Sequence, residues 1–283
     1  MNVIKAKKIL EKHYKQQIKE ARKLNSNTDT DWVKMKRKHS YQVLTTGKKI
    51  INKTPELKSL DKHYIKCAKV IFLLHDIGRF YEIGNKISSN SKIPSDHGNH
   101  AVEILKKEKI NDPLILLSIK YHNRINLDGL EGELKNLKIS KKEREIIIIL
   151  SKLIRDADKI TNFLSFKNEP IFSFKTRELN YSDQLLKSFK AGEFGKRAYE
   201  KTIFDTFLIH FCWEYDLSFE ESRKILLKKK INESLLKKFF DSVDKVAKEK
   251  TGLIKEDKLE EMKEKMIKCG NETKEVLKAK KLL

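Results

Sequence analysis

Cysteine is nearly missing from this chain: Cys67, Cys212 and Cys269 are odd in number, far apart, and form no CxxC pair. A disulfide framework is therefore excluded, and the three read as free thiols of a reducing compartment, with the cytoplasm the expected location. Proline and glycine are also scarce, at four and ten of 283 residues, which leaves long stretches uninterrupted and favours helices. No apolar run approaches the ~20 residues that span a bilayer. The first residues, Met1-Asn2-Val3-Ile4-Lys5, show no apolar signal core or small-residue cleavage site, so neither a secretory leader nor a membrane partner is expected.

Acidic charge is the minority: 40 Asp and Glu face 62 Lys and Arg, a formal net charge of +22. Arginine supplies only nine of the 62, and the lysines spread over every segment instead of forming one stripe. Abundant Lys, Ile and Asn look like the drift of an AT-rich genome. With no aromatic-interleaved binding motif, non-specific attraction to polyanions is expected before dedicated nucleic-acid recognition. A positive field would still draw phosphorylated substrates toward a cleft. At 39% hydrophobic and 36% charged, the chain fits a helix-rich globular protein of one large domain or two modest ones.

Apolar spacing predicts a helix over residues 2 to 24, and Asn25-Ser26-Asn27-Thr28-Asp29 breaks the pattern. A second helix is expected from Asp31, as N-cap, to about Ile51, with Thr54-Pro55 ending it. A third runs from about Asp61 into His75-Asp76, where Gly78 lets it stop. Residues 84 to 95 read as a loop, 97 to 109 and 113 to 123 as helices, and Asn126 to Lys138, with Gly129 and Gly132, as another loop. From Ser140 a long helix is expected to carry Asp156 and Asp158; the four isoleucines 146 to 149 would suit a strand, but their charged flanks favour helix. Residues 167 to 180 look irregular, followed by amphipathic segments near 181–190, 196–216, 219–229 and 231–248 and a Lys/Glu-rich tail from about Lys250 that reads as a solvated helix. The fold class is all-α, with an N-terminal helix in residues 1–30, a main body in 31–248 and the tail in 249–283.

What the sequence does have is an ordered set of imidazoles and carboxylates. His75-Asp76 closes the apolar run Lys69-Val70-Ile71-Phe72-Leu73-Leu74, with His39 upstream and His97, His122 and Asp156-Ala157-Asp158 downstream on successive predicted helices. Imidazole and carboxylate together suit a divalent cation of the Mn, Fe, Co, Ni, Mg or Zn group. Neighbours on a helix diverge by about 100°, so His75 and Asp76 can address one ion only at a helix end. His13, His63 and His210 fall outside the pattern and read as structural or exposed, and the Phe204–Phe211 aromatics read as core.

The order His39, His75-Asp76, Asp158 resembles the HD-domain superfamily of metal-dependent phosphohydrolases, an all-α fold. Lys38-His39-Ser40-Tyr41, Leu74-His75-Asp76-Ile77-Gly78-Arg79-Phe80, Asp96-His97, Tyr121-His122-Asn123-Arg124 and Ile154-Arg155-Asp156-Ala157-Asp158-Lys159 are similar to a bacterial branch of that family. The similarity runs on through Lys175-Thr176-Arg177 and Phe204-Asp205 to Asp216-Leu217-Ser218-Phe219, covering most of residues 30 to 245. It implies an HD-domain helical bundle with additional C-terminal helices, and His39, His75, Asp76 and Asp158 as metal ligands. Asp158 is preferred to Asp156 because it follows a small residue and precedes a basic one; two residues apart on one helix, the pair diverges by roughly 200° and only one can face the ion. His97 and His122 fall where multinuclear members carry extra histidines, so one or two ions are implied.

The implied reaction is hydrolysis of a phosphomonoester or phosphodiester by a metal-bound water. Asp76 holds the metal and guides the proton, Arg79 and Arg124 meet phosphoryl oxygens, and His100 faces the substrate side of the cleft. A nucleotide is the expected substrate class. Alarmone hydrolases carry Glu-Asp where this chain has Arg79-Phe80, and HD-GYP phosphodiesterases carry a Gly-Tyr-Pro that is missing around Asp128-Gly129-Leu130, which speaks against either specificity. Two alternatives are an HD-type di-iron oxygenase acting on a small polyol or phosphonate, and a non-catalytic basic module that binds nucleic acid. The sequence sets no oligomeric state.

Overall fold

Few breakers and dense helical periodicity give the described residues a helical architecture. The computed structural model describes residues 1–83, 96–124, 126–168 and 176–283. Among these are thirteen α-helices and no strand beyond the isolated bridges Thr176–Thr202 and Thr251–Ile254. The expected loop at 84–95 and residues 169–175 of the expected irregular stretch, Lys175 included, lie outside the described residues. By contact the chain divides into two units, Met1–Thr161 and Asn162–Leu283. No described helix is long and apolar enough to cross a membrane.

The first unit is organised around α4 (Lys62–Leu74), which packs on α1 (Val3–Lys23), α2 (Asn27–Lys53) and α6 (Pro113–Tyr121). Its last five residues, Val70 to Leu74, are each at most 1% exposed, as expected for a helix apolar on all sides. Burying each of these side chains contributes about 2 kcal/mol. Room for this comes from Gly47 on α2: a Cβ there would stand 2.2 Å from the Phe72 ring. The short α3 (Pro55–Lys58) begins at the Thr54-Pro55 step that was expected only to end α2.

α5 (His97–Lys107) lies against the 3-10 turn Ile77–Tyr81 and against α6, and two glycines let it come close. A Cβ on Gly78 would sit 2.5 Å from the His97 carbonyl oxygen, and one on Gly98 2.5 Å from that of Lys120. His13, expected to be structural or exposed, is buried in this unit, its Nδ1 2.5 Å from the Tyr81 hydroxyl and its Nε2 3.0 Å from Glu108.

Two boundaries differ from the sequence reading. α2 starts four residues before Asp31, because the Ser26 hydroxyl accepts from the Asp29 N–H and caps the helix. Asp31 instead sits on its exposed face, 3.1 Å from Lys34 Nζ. The expected loop at Asn126–Lys138 contains α7 (Asp128–Lys135), since Leu130 and Leu134, one turn apart, are both buried despite Gly129 and Gly132. α8 (Lys141–Asn168) is one unbroken helix, and the isoleucine run belongs to it.

The second unit centres on α10 (Ile203–Trp213), all eleven residues of which are buried. Its start is fixed by a reciprocal cap: Thr202 Oγ1 accepts from the Asp205 N–H, and Asp205 accepts from the N–H groups of Thr202, Lys201 and Ser182. Phe239, on α12 (Ile231–Lys250), packs edge-on against Phe204 and Phe207 at 5.2 and 5.6 Å. α9 (Asp183–Ala191), α11 (Glu220–Lys228) and α13 (Glu256–Ala279) complete the unit. The Lys/Glu-rich tail is helical but not merely solvated: α13 packs on α12 and buries Met266, Cys269, Gly270, Thr273 and Leu277.

Candidate metal centre

The site begins where α4 ends. His75 is the C-cap residue, fully buried, and its Nδ1 donates to the carbonyl of Phe72 at 3.0 Å. In the neutral ring that bond leaves Nε2 with a lone pair and no proton. This Nε2 is buried without a hydrogen-bond partner, while the nearest acidic oxygens, Asp158 Oδ1 and Asp76 Oδ2, stand 3.7 and 3.8 Å away. His122, the C-cap residue of α6, repeats the arrangement, its Nδ1 donating to Ile119 O at 2.6 Å.

Asp76 leaves helical geometry (φ −100°, ψ 14°) before the 3-10 turn Ile77–Tyr81. That change of direction lets two consecutive residues face one place, as a helix interior would not. The carboxylate has two distinct sides. Oδ2 lies 3.0 Å from Lys36 Nζ, 3.8 Å from His75 Nε2 and 3.9 Å from His39 Nε2. Oδ1 lies 3.5 Å from both His97 Nε2 and His122 Nε2, which are 3.2 Å from each other, and 4.0 Å from Arg79 Nε. On the first side, Asp158 of α8 joins the set with Oδ1 2.8 Å from His39 Nε2.

These separations fit a cation. Ligand atoms about 2.1 Å from an octahedral ion stand about 3.0 Å apart when adjacent and about 4.2 Å when opposite. The atoms of His39, His75 and Asp158, and those of His75, Asp76 and His122, each gather within 4.8 Å of one another. An orphaned buried imidazole nitrogen is what a metal would satisfy. His/Asp groups that could hold a divalent cation are thus present, and Asp76 is shared between the two imidazole pairs.

The electrostatics match. Burial alone would raise the Asp76 carboxyl, but Lys36 foremost, with His75, His122 and His97, holds it well below the usual carboxylate range. Asp158 behaves alike: burial opposes ionisation, and the His39 hydrogen bond and the adjacent His75 overcome it. Burial and the nearby Arg79 charge push His97 well below its ordinary value, so it is a neutral imidazole. Ionised carboxylates and neutral imidazoles are the protonation states that coordinate metals.

The structure therefore brings together His39, His75, Asp76, Asp158, His97 and His122, with Arg79 at the edge. Between the two aspartates of α8, the one hydrogen-bonded to His39 is Asp158, while Asp156 is fully buried elsewhere on the helix. Arg124 and His100, expected to contact substrate, have neighbours within the chain itself. Arg124 pairs with Asp96 at 2.5 Å, its carbonyl accepts from Arg155, and the His100 ring meets Tyr81 at 5.4 Å. Asn123 Nδ2, 3.4 Å from His97 Nδ1, orients that ring.

Two residues at the site escaped the sequence reading. Lys36 and Trp32 lie three and seven residues before His39 on α2 and share its face. Lys36 Nζ stands 5.0 Å from the Trp32 ring centre and Arg79 Cζ 5.8 Å, while the indole N–H donates to Arg79 O at 3.1 Å. The i−3 and i−7 spacing from a candidate ligand was the available signal.

All six converging side chains fall within residues 37–162, the segment matched by the family model of the HD domain. Comparison with curated proteins and with solved structures gives no match.

Proposed function

Because this chain belongs, through residues 37–162, to the HD-domain superfamily, whose members are generally metal-dependent hydrolases, we propose that it is a phosphohydrolase acting on a phosphomonoester or phosphodiester, with a nucleotide as the substrate class. One observation carries the reading: the two oxygens of Asp76 face two separate imidazole pairs, His39/His75 and His97/His122. That arrangement supports one or two ions of the Mn, Fe, Co, Ni, Mg or Zn group, held by His39, His75, Asp76 and Asp158 on one side and by Asp76, His97 and His122 on the other. A cation bound there supplies positive charge for phosphoryl oxygens and lowers the pKa of a coordinated water.

The remaining roles belong to the chain itself. Asp76, ionised and buried, orients the centre and guides the proton of the attacking water. Lys36 and Arg79, with side chains 13% and 29% exposed beside Asp76, are placed to meet the oxygens of an incoming phosphate. Arg79 stays charged: burial opposes this, but Asp76 and Glu82 raise its pKa. Its planar guanidinium suits a spreading phosphoryl charge. The partly buried Trp32 ring beside them adds an aromatic surface suited to a nucleobase or sugar.

The test combines elemental analysis of protein purified without added metal with a panel of nucleotide and generic phosphoesters. Stoichiometric divalent metal and turnover are expected; Asp76→Ala should lower the metal content and abolish turnover. A variant that keeps its metal and its hydrolysis rate would refute the role of Asp76, and metal-loaded protein inert toward every phosphoester would refute the activity. The shared carboxylate also accommodates a di-iron oxygenase, for which iron-loaded protein would consume oxygen with a polyol or phosphonate present.

A further inference from the structure

A second constellation of metal-ligating atoms lies at the other end of α4. His63 and Cys67 stand one helical turn apart on its first half, and Asp112, the N-cap of α6, faces them. Cys67 Sγ is 3.8 Å from His63 Nε2 and 4.0 Å from Asp112 Oδ2, and the three ligand atoms lie within 4.8 Å of one another. We infer that His63, Cys67 and Asp112 form a binding site for a borderline divalent cation of the zinc class, separate from the His/Asp centre and clamping the start of α4 to the start of α6.

Three features carry this. A tetrahedral zinc with bonds of about 2.3 Å to sulfur and 2.0 Å to nitrogen or oxygen sets neighbouring donors about 3.5 Å apart. The observed 3.8 and 4.0 Å need only a small inward movement of side chains. The spacing of His63 and Cys67, four residues apart in one helix, places both on one face without distorting the backbone. Asp112 is already oriented: its Oδ1 accepts from the Leu114 N–H at 3.0 Å, which turns Oδ2 toward the sulfur. His63 is exposed and Asp112 partly so, giving a cation an entry path to the buried Cys67.

The ligand chemistry differs from that of the His/Asp centre. A thiolate with one imidazole and one carboxylate selects zinc, cobalt or copper over magnesium or manganese. Burial first, and Asp112 second, push the Cys67 thiol up to about 11, so binding is accompanied by release of the thiol proton to solvent. With three protein ligands, water fills the fourth position. Because α4 and α6 end in His75 and His122, a cation joining their starts holds the two helices in the register that brings those imidazoles together.

Cobalt(II) titration of the full-length protein distinguishes this site from the centre, which contains no sulfur. The expected result is a near-ultraviolet thiolate-to-cobalt charge-transfer band that saturates at one equivalent, is reversed by zinc, and persists in Asp76→Ala. Cys67→Ser should abolish it, and His63→Ala and Asp112→Asn, the latter keeping the helix cap, should weaken cobalt affinity at least about tenfold. Absence of a thiolate band in the parent protein, or a band undiminished in Cys67→Ser, overturns the assignment whatever the fate of the hydrolase reading.

Discussion

His75 and His210 are the same residue in nearly the same local setting, put to opposite uses. Each lies at or near the end of an apolar helix, is at most 3% exposed, and donates from Nδ1 to a backbone carbonyl one turn back, Phe72 O and Thr206 O respectively. Around His75 the next rings are His122 and His39, at 5.0 and 5.5 Å. Around His210 they are Phe166, Trp213 and Phe163, at 3.9, 4.3 and 5.9 Å. Buried carboxyls tell the same story. Asp76, beside Lys36 and four imidazoles, is held ionised. Burial pushes Glu214, in the second unit, up to about 8 despite Asn232 and Arg223. His75 and Asp76 line a candidate metal centre while His210 and Glu214 are packed into a core, and the neighbours of each decide which.

The sharpest way to break this contrast is to truncate both histidines. His75→Ala is expected to lower phosphoester hydrolysis on the order of 10³-fold while leaving a folded protein. His210→Ala should cost about 3 kcal/mol of stability in urea denaturation, through the cavity it opens, with activity of the surviving folded fraction little changed. Equal loss of activity in two folded variants would erase the distinction.

The carboxyl pair gives the next largest effect. Folded Glu214 keeps its proton up to about pH 8, whereas an unfolded Glu releases it near pH ~4.3. Stability is therefore unimpaired below that lower value, falls as pH rises through the window between them, and stays reduced above pH 8. Glu214→Gln should match the parent at pH 4 and exceed it by about 3 kcal/mol at pH 9, taking ~1.4 kcal/mol per pH unit with a discount for relaxation. Coincident urea midpoints at pH 9 would show that Glu214 ionises freely. Smallest is Lys36→Met, expected to raise KM for a phosphoester about tenfold with metal content intact. A collapse of kcat instead would move Lys36 from substrate contact into the centre itself.

Much of the fold and of the site was legible because the informative residues sit at helix ends. The His75-Asp76 dipeptide followed by Gly78 announces a helix stop with two donors at it, and His39, His97, His122 and Asp158 fall on separate periodic segments. Scarce breakers together with helical periodicity argued for an all-α fold, which the described residues display. The misreadings have local causes. Gly129 and Gly132 looked like loop residues, yet Gly129 is where the Tyr121 hydroxyl comes within 3.2 Å of a would-be Cβ, and the Leu130/Leu134 pair keeps the helix. Asp31 resembled an N-cap, but Ser26 satisfied the donors first. The pairing of Arg124 with Asp96, 28 residues away in the chain, was not legible at all. Lys36 was one cation among 62, and only the folded position of Asp76 distinguishes it. The matched family segment ends at residue 162, so the likeness read through residue 245 extends beyond what the family model covers.

The placement of His75 and His122 as C-cap residues has an electrical consequence. Every α-helix carries a macrodipole worth about half a negative elementary charge at its C-terminal end. α4 ends at Leu74, just before His75-Asp76, and α6 at Tyr121, whose C-cap His122 reaches Asp76 Oδ1, so the backbone itself contributes negative potential there. A molecule with a net charge of +22 can in this way still draw a cation inward along two peptide axes.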